Sequence, residues 1–314
     1  MLNNEVHGKY DLQTIANATL CEDYSSDSFN WRHLFHKLCF EQMLEHFLIT
    51  LDFKLFYKFI SVLGPEISVL RIPALDKTKL KSNHYWLMAL LGRMPSLKAV
   101  KFHRNNENVK TDYFKFMQKG MAYMQKEGRE LQMMQFDDML CKQRSAELFY
   151  GVLKHHPNLI CLKVNKGILS ADDAKAIGKV LADFKFIREL DISSTNLDVN
   201  TSKEIADGLM RAKQLEIFKC DNNPSMGKTL DTIIYNLAFS PKIKLINLSS
   251  TGTVSRDTAE ALYKLLKISG AIETLIMRQT GVSAHLSEDF FKALGENKTL
   301  AYLNLDEIVN VGAL

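Results

Sequence analysis

Apolar residues recur along this chain in one short pattern: an aliphatic residue, two free positions, an apolar residue, one free position, and a second apolar residue. The pattern reads LQMMQF from Leu131, LICLKV from Leu159, IRELDI from Ile187, LEIFKC from Leu215, IKLINL from Ile243, IETLIM from Ile272 and LAYLNL from Leu300. Successive starts lie 28, 28, 28, 28, 29 and 28 residues apart. Two looser copies, ISVLRI from Ile67 and LKAVKF from Leu97, precede them in units of 30 and 34 residues. Alternation of this kind predicts a short strand with one face buried. A second pattern follows at a fixed distance. Phe149, Ile177, Ile205, Ile233, Ala261 and Phe290 form one column, and Leu153, Leu181, Leu209, Leu237, Leu265 and Leu294 form another, four residues further on. Four residues is one helical turn, so each unit predicts a strand, a turn and an amphipathic helix.

A period of 28 residues with this strand pattern is the signature of a leucine-rich repeat. One strand and one helix bury too little apolar surface to stand alone, whereas stacked units build a continuous core between sheet and helices. The expected fold is therefore α/β: a leucine-rich repeat solenoid, or horseshoe, with a parallel concave sheet, convex helices and about 8–9 repeats. Residues 67–314 make up the repeats, and the array is expected to end inside a repeat. Residues 31–66, dense in aromatics and poor in turn residues, are expected to form a helical N-terminal cap with a degenerate first repeat. Residues 1–30 read as a flexible acidic tail. The longer unit from Leu97 carries Phe114, Met117, Met121 and Met124 after a polar stretch, which predicts a longer helix or a rim loop.

The unit with a full helix resembles the ribonuclease-inhibitor-like class, which includes ribonuclease inhibitor, the Ran GTPase-activating protein and tropomodulin. GENKTLAYLNL near residue 300 and LSADDAKAIGKVLADFKFIRELDI near residue 180 are similar to tropomodulin-type repeats. In that class the ninth position turns the chain off the strand and is Asn or Cys, with Thr as a common replacement. Here it is Asn105, Met139, Gly167, Thr195, Asn223, Thr251, Thr280 and Ile308, so the departures at Met139, Gly167 and Ile308 imply irregular turns. The resemblance implies a protein-binding solenoid. It also admits a regulator of a small GTPase, or the recognition region of a larger receptor or ubiquitin-ligase adaptor. No catalytic residue carries over, because no matching motif is present.

Composition narrows the function. With 46% hydrophobic and 24% charged residues over 314 positions the chain reads as folded, and no apolar run approaches a membrane span. Five cysteines, odd in number and never in a CxxC, argue for reduced thiols and a cytoplasmic location, with nuclear, cytoskeletal or ciliary settings also open. Net charge is +4, with the basic excess scattered through residues 31–130 in no continuous run, which argues against nucleic acid as the partner. NNPSMGKT, ending at Thr229, imitates a phosphate loop but has Asn222 where the first glycine belongs. His33, His36 and Cys39 lack a fourth ligand, so no metal or cofactor is expected. His155 and His156 sit before Pro157 at a helix end, where a cation is favourable.

Candidate function then falls on the exposed side of the strands, at positions three, five and seven of each unit. Position three includes Met133, Cys161, Glu189, Ile217, Leu245 and Tyr302; position five includes Arg71, Lys101, Gln135, Lys163, Asp191, Lys219, Asn247 and Ile276; Arg278 stands at position seven. An apolar ridge beside a cationic row, with a polar outer row, fits a protein-recognition surface. The expected activity is non-catalytic: a scaffold that binds a protein partner of unknown identity through the concave face and rim. The C-terminal end is expected to be continued by further chain or covered by a partner.

Overall fold

The computed structural model of the chain describes residues 64–74, 91–104, 112–140, 146–252 and 255–305, with isolated positions between 38 and 62. Nine parallel strands form one sheet in strict chain order. They are β1 (Val69–Ala74), β2 (Ala99–Arg104), β3 (Met133–Asp137), β4 (Cys161–Asn165), β5 (Glu189–Asp191), β6 (Ile217–Lys219), β7 (Leu245–Asn247), β8 (Thr274–Ile276) and β9 (Tyr302–Asn304). A helix separates each pair from β2 onward: α1 (Asp112–Lys126), α2 (Ala146–Leu153), α3 (Ala171–Asp183), α4 (Val199–Leu209), α5 (Leu230–Ala238), α6 (Arg256–Ile268) and α7 (Glu288–Glu296). The chain is an α/β leucine-rich repeat solenoid, in which like positions of neighbouring units pair directly, as in Leu162 with Leu190 and Leu190 with Phe218.

The two helical columns and the apolar strand positions meet in one core running from Leu44 and Ile60 to Phe290 and Ala293. Leu209 and Leu237 are fully buried on its helix side. The longer second unit resolves as a long helix, α1, whose Phe114, Met117, Met121 and Met124 are all buried, so the extra length thickens the core. The acidic tail, most of the cap, Asn105, Ile308, His33 and His36 lie outside the described residues.

The turns explain how each strand stops. Position eight adopts a left-handed conformation in six successive units, at Asp138, Lys166, Ser194, Asn222, Ser250 and Gln279, with φ between 53° and 58°. That conformation costs a non-glycine residue about 1–2 kcal/mol. A ladder bond offsets it, because the turned N–H donates to the position-seven carbonyl of the next unit: Asp138 to Asn165 at 2.8 Å, Ser194 to Asp221 at 2.9 Å and Asn222 to Ser249 at 2.8 Å. Position nine then locks the turn from inside. The hydroxyls of Thr195, Thr251 and Thr280 donate to the position-six carbonyls of Ile192, Leu248 and Met277 at 2.6, 2.6 and 2.9 Å. The Asn223 amide does the same to Cys220 at 2.8 Å. Gly167 lies so close to the previous turn that a Cβ there would stand 3.1 Å from the Leu140 carbonyl oxygen, which accounts for the glycine.

On the convex side, Ser170 and Asp198, 28 residues apart, cap α3 and α4 through reciprocal bonds with Asp173 and Thr201. These two helices approach closely at Gly178 and Gly208, where a Cβ on Gly208 would fall 2.6 Å from the Gly178 Cα.

His156 departs from the cation expected at a helix end. It is fully buried, its Nδ1 accepts the Leu131 N–H at 3.0 Å, and its Nε2 lies 3.1 Å from the Met121 sulfur. Burial, with His155 beside it, pushes its pKa down to about 3, so the ring is a neutral core group.

The concave face as a candidate interaction site

Strand alternation carries the position-three and position-five candidates to one side of the sheet, and Arg278 lies in the turn after β8. Met133, Gln135, Lys163, Glu189, Asp191, Ile217, Lys219, Leu245, Asn247 and Ile276 are half-buried between neighbouring rungs, as is Lys101, while Arg71, Arg278 and Tyr302 are exposed. One position-three residue differs from the expected open ridge: Cys161 is buried, being small enough for adjacent side chains to cover.

The cationic row is not a row of free charges. The Lys163 ammonium lies 2.8 Å from Glu189 Oε1, and Lys219 lies 3.9 Å from the same oxygen. Burial opposes the charge on Glu189, but Lys163, the Cys161 thiol and Lys219 together hold the carboxyl below its usual range. The Cys161 thiol sits 3.4 Å from Glu189 Oε2. Burial first, and the Glu189 charge next, push that thiol well up, so it is not an activated nucleophile. At the N-terminal end Arg71 Nε reaches His103 Nδ1 at 3.2 Å.

The outer polar row is a bonded ladder. Asn165 donates to Asp191 at 2.9 Å, the Ser193 hydroxyl lies 2.7 Å from both Asp191 and Asp221, and Asn247 donates to Asp221 at 3.0 Å. Ser249 then donates to Asn247 at 2.9 Å and accepts the Arg278 backbone N–H at 3.2 Å. Much of the hydrogen-bonding capacity of this row is satisfied internally, which fixes the strand ends.

Across β6 to β9 the outward residues change character. Ile217, Leu245, Ile276 and Tyr302 come together on four adjacent strands, in the register Ile217 to Leu245 to Thr274 to Tyr302 with Ile276 beside Asn247. Tyr302 is 49% exposed. Lys219 and Arg278 flank the group. The sequence columns name all of these residues; the pairing of Lys163 and Lys219 with one glutamate two positions off their own column needs the three-dimensional register.

Other tempting motifs resolve structurally. Gly227–Thr229 forms a short 3-10 helix whose Thr229 hydroxyl donates inward to the Met226 carbonyl at 2.8 Å. Among the described residues no group of three or more His, Cys, Asp or Glu is placed to hold a metal ion, and no helix is long and apolar enough to cross a membrane.

No protein-family model and no curated protein matches the sequence. Solved structures with a similar course of the chain include the Rad7 and Elc1 complex of yeast, at 12% identity over 94% of this chain and 87% of that one, with a TM-score of 0.47. They also include the TLR13–ssRNA13 complex, at 14% identity over 80% of this chain and 34% of that one, TM-score 0.43. A third is an internalin from Listeria monocytogenes, at 10% identity over 78% of this chain and 82% of that one, TM-score 0.33.

Proposed function

We propose that this chain is a non-catalytic scaffold that binds a protein partner through the concave face of its sheet and the adjoining rim. The observation that carries the reading is the half-exposed group Ile217, Leu245, Ile276 and Tyr302 on four adjacent strands, beside Lys219 and Arg278. An apolar centre with a polar surround, on a rigid sheet whose polar row is already bonded, is how protein interfaces are built. Nucleic acid fits this face less well, because Glu189 offsets the charge of Lys163 and Lys219. Placement in the ribonuclease-inhibitor-like class is supported by the 28-residue units, their full helices and the Thr and Asn donors at the turns.

Leu245→Arg combined with Ile276→Arg tests the reading, since both side chains face outward and the change adds charge to the apolar centre. Affinity capture from the native source should lose the partner at least about tenfold in yield. Lys203→Glu, on the convex surface, should leave the yield unchanged. Retention of the same partners by the concave variant, with its circular dichroism intact, contradicts the proposal.

A further inference from the structure

Parallel strands that follow one another in chain order require each intervening helix to carry the chain back, so helix C-termini and strand starts share one edge of the solenoid. Four successive junctions on that edge, from α3 to β5, α4 to β6, α5 to β7 and α6 to β8, each present one large apolar side chain to solvent. These are Phe186, Met210, Phe239 and Ile268, which are 50%, 57%, 49% and 47% exposed. A cation accompanies each of them. Lys185 precedes Phe186, Arg211 follows Met210, Lys242 lies three residues after Phe239, and Lys267 precedes Ile268. In all, the four junctions (residues 182–188, 210–216, 238–244 and 266–273) hold seven cations against three carboxylates. The opposite edge, where β4 to β7 pass into α3 to α6 (residues 166–173, 192–201, 220–231 and 248–257), holds six carboxylates against three cations. Helix dipoles account for both signs, but they do not account for an apolar side chain left in water at four consecutive repeats.

Charge and shape point to the same occupant. Glu216 takes up Arg188 at 3.8 Å and Lys244 at 3.4 Å, whereas Lys185, Arg211, Lys213 and Lys242 pair with no carboxylate among the described residues. The oppositely charged edges also give the molecule a dipole that turns its basic edge toward an anionic surface. Neighbouring helices pack about 10 Å apart, so the four apolar side chains are strung over roughly 30 Å. A protein interface gathers its apolar anchors in a compact, water-excluding centre, whereas a bilayer interface accepts each side chain separately. We propose that this edge seats the protein on an anionic lipid bilayer, with Phe186, Met210, Phe239 and Ile268 entering the interfacial layer and the adjoining cations meeting lipid phosphates. Lysine and arginine suit this arrangement because their long stems lie along apolar surface while their charged ends reach the headgroups. Attachment of this kind needs no membrane-spanning helix. The edge shares no residue with the concave face, so a protein can occupy the sheet while lipid holds the edge.

The test is co-sedimentation of the full chain with lipid vesicles at low salt. Vesicles of phosphatidylcholine with about 30% phosphatidylserine should bind it at least about tenfold more tightly than phosphatidylcholine alone. Met210→Ser with Phe239→Ser, and separately Lys213→Glu with Lys242→Glu, should each weaken that binding about tenfold or more. All four side chains are exposed, so the circular dichroism of both variants should match that of the wild type. Lys166→Glu with Arg256→Glu makes the same change in charge on the opposite edge and should leave binding unchanged. No binding to the anionic vesicles, equal binding to both compositions, equal loss from the opposite-edge variant, or binding that survives the Met210 and Phe239 changes would overturn the proposal. Capture of soluble poly-glutamate in place of the vesicles would point to an acidic protein and overturn it as well.

Discussion

Asn223 holds the turn of the repeat before its own. Its Oδ1 accepts the Thr195 and Leu197 N–H groups at 3.0 Å each, while its Nδ2 donates to the Ile192 and Cys220 carbonyls at 3.1 and 2.8 Å. Thr195, one unit earlier, donates its hydroxyl mainly to its own turn, 2.6 Å from the Ile192 carbonyl, with a longer 3.4 Å contact to Asn223 Oδ1. Asn223 is therefore the stronger of the two as an inter-repeat fastener.

Removing it should be expensive. Asn223→Ala orphans buried donors and acceptors in two turns, at about 1–3 kcal/mol per group, and should destabilise the fold by at least about 3 kcal/mol in urea unfolding. Asn223→Thr, which keeps a donor for the Cys220 carbonyl, should cost clearly less. Equal losses would show that the own-turn bond to the Cys220 carbonyl carries no energy and that the bonds to the preceding repeat account for the whole cost.

His156 gives the fold an acid sensitivity. Its folded pKa of about 3 lies below the unfolded value of about 6.5, so the unfolded chain takes up the proton first as pH falls. The stability due to the neutral ring is fully present above about pH 6.5 and is lost progressively down to about pH 3. Between about pH 7.5 and 5.5 this amounts to about 1.4 kcal/mol. Urea midpoints of the wild type and His156→Gln, compared at both pH values, should show that extra loss in the wild type alone.

Two glycines should behave in opposite ways. Gly208→Ala places a methyl group 2.6 Å from the Gly178 Cα, forcing α3 and α4 apart, and should cost about 1–3 kcal/mol. Gly295 lies in α7 with nothing within 4 Å of an added Cβ, so Gly295→Ala should be neutral or stabilising by up to about 1 kcal/mol. Thermal unfolding of the two variants separates them.

Glu189 is the electrostatic hinge of the concave face. Glu189→Gln leaves Lys163, whose side chain is 22% exposed, without its carboxylate, and should destabilise by about 1–2 kcal/mol, between the exposed and buried ion-pair ranges. The Glu189 carboxyl is held below its ordinary value, so this stabilisation is present above about pH 4.3 and fades as the group protonates below it. The acid limb of the stability curve should flatten in the variant.

Architecture was legible in the sequence because a repeat writes its core as columns: Leu209 and Leu237 are buried as their shared column requires. The outward positions followed from strand alternation, and Thr195, Thr251 and Asn223 performed the turn duty their column implied. What escaped lies between columns. Lys163 meets Glu189 on a diagonal, from position five of one strand to position three of the next, and a list of columns does not rank such diagonals by energy. His156 escaped because adjacency to a helix end says nothing of Met121, 35 residues away, which closes over the ring.

Binding of a protein partner by the concave sheet is tested most directly by site-specific photocrosslinking. A benzophenone amino acid is placed at Leu245 on the sheet or at Lys203 on the convex surface, in the native cell extract. Discrete protein adducts are expected from the Leu245 position that vanish when Ile217→Arg and Ile276→Arg are added, with none of those adducts from Lys203. Adducts to the same proteins from Lys203, or none from the sheet position, would contradict it.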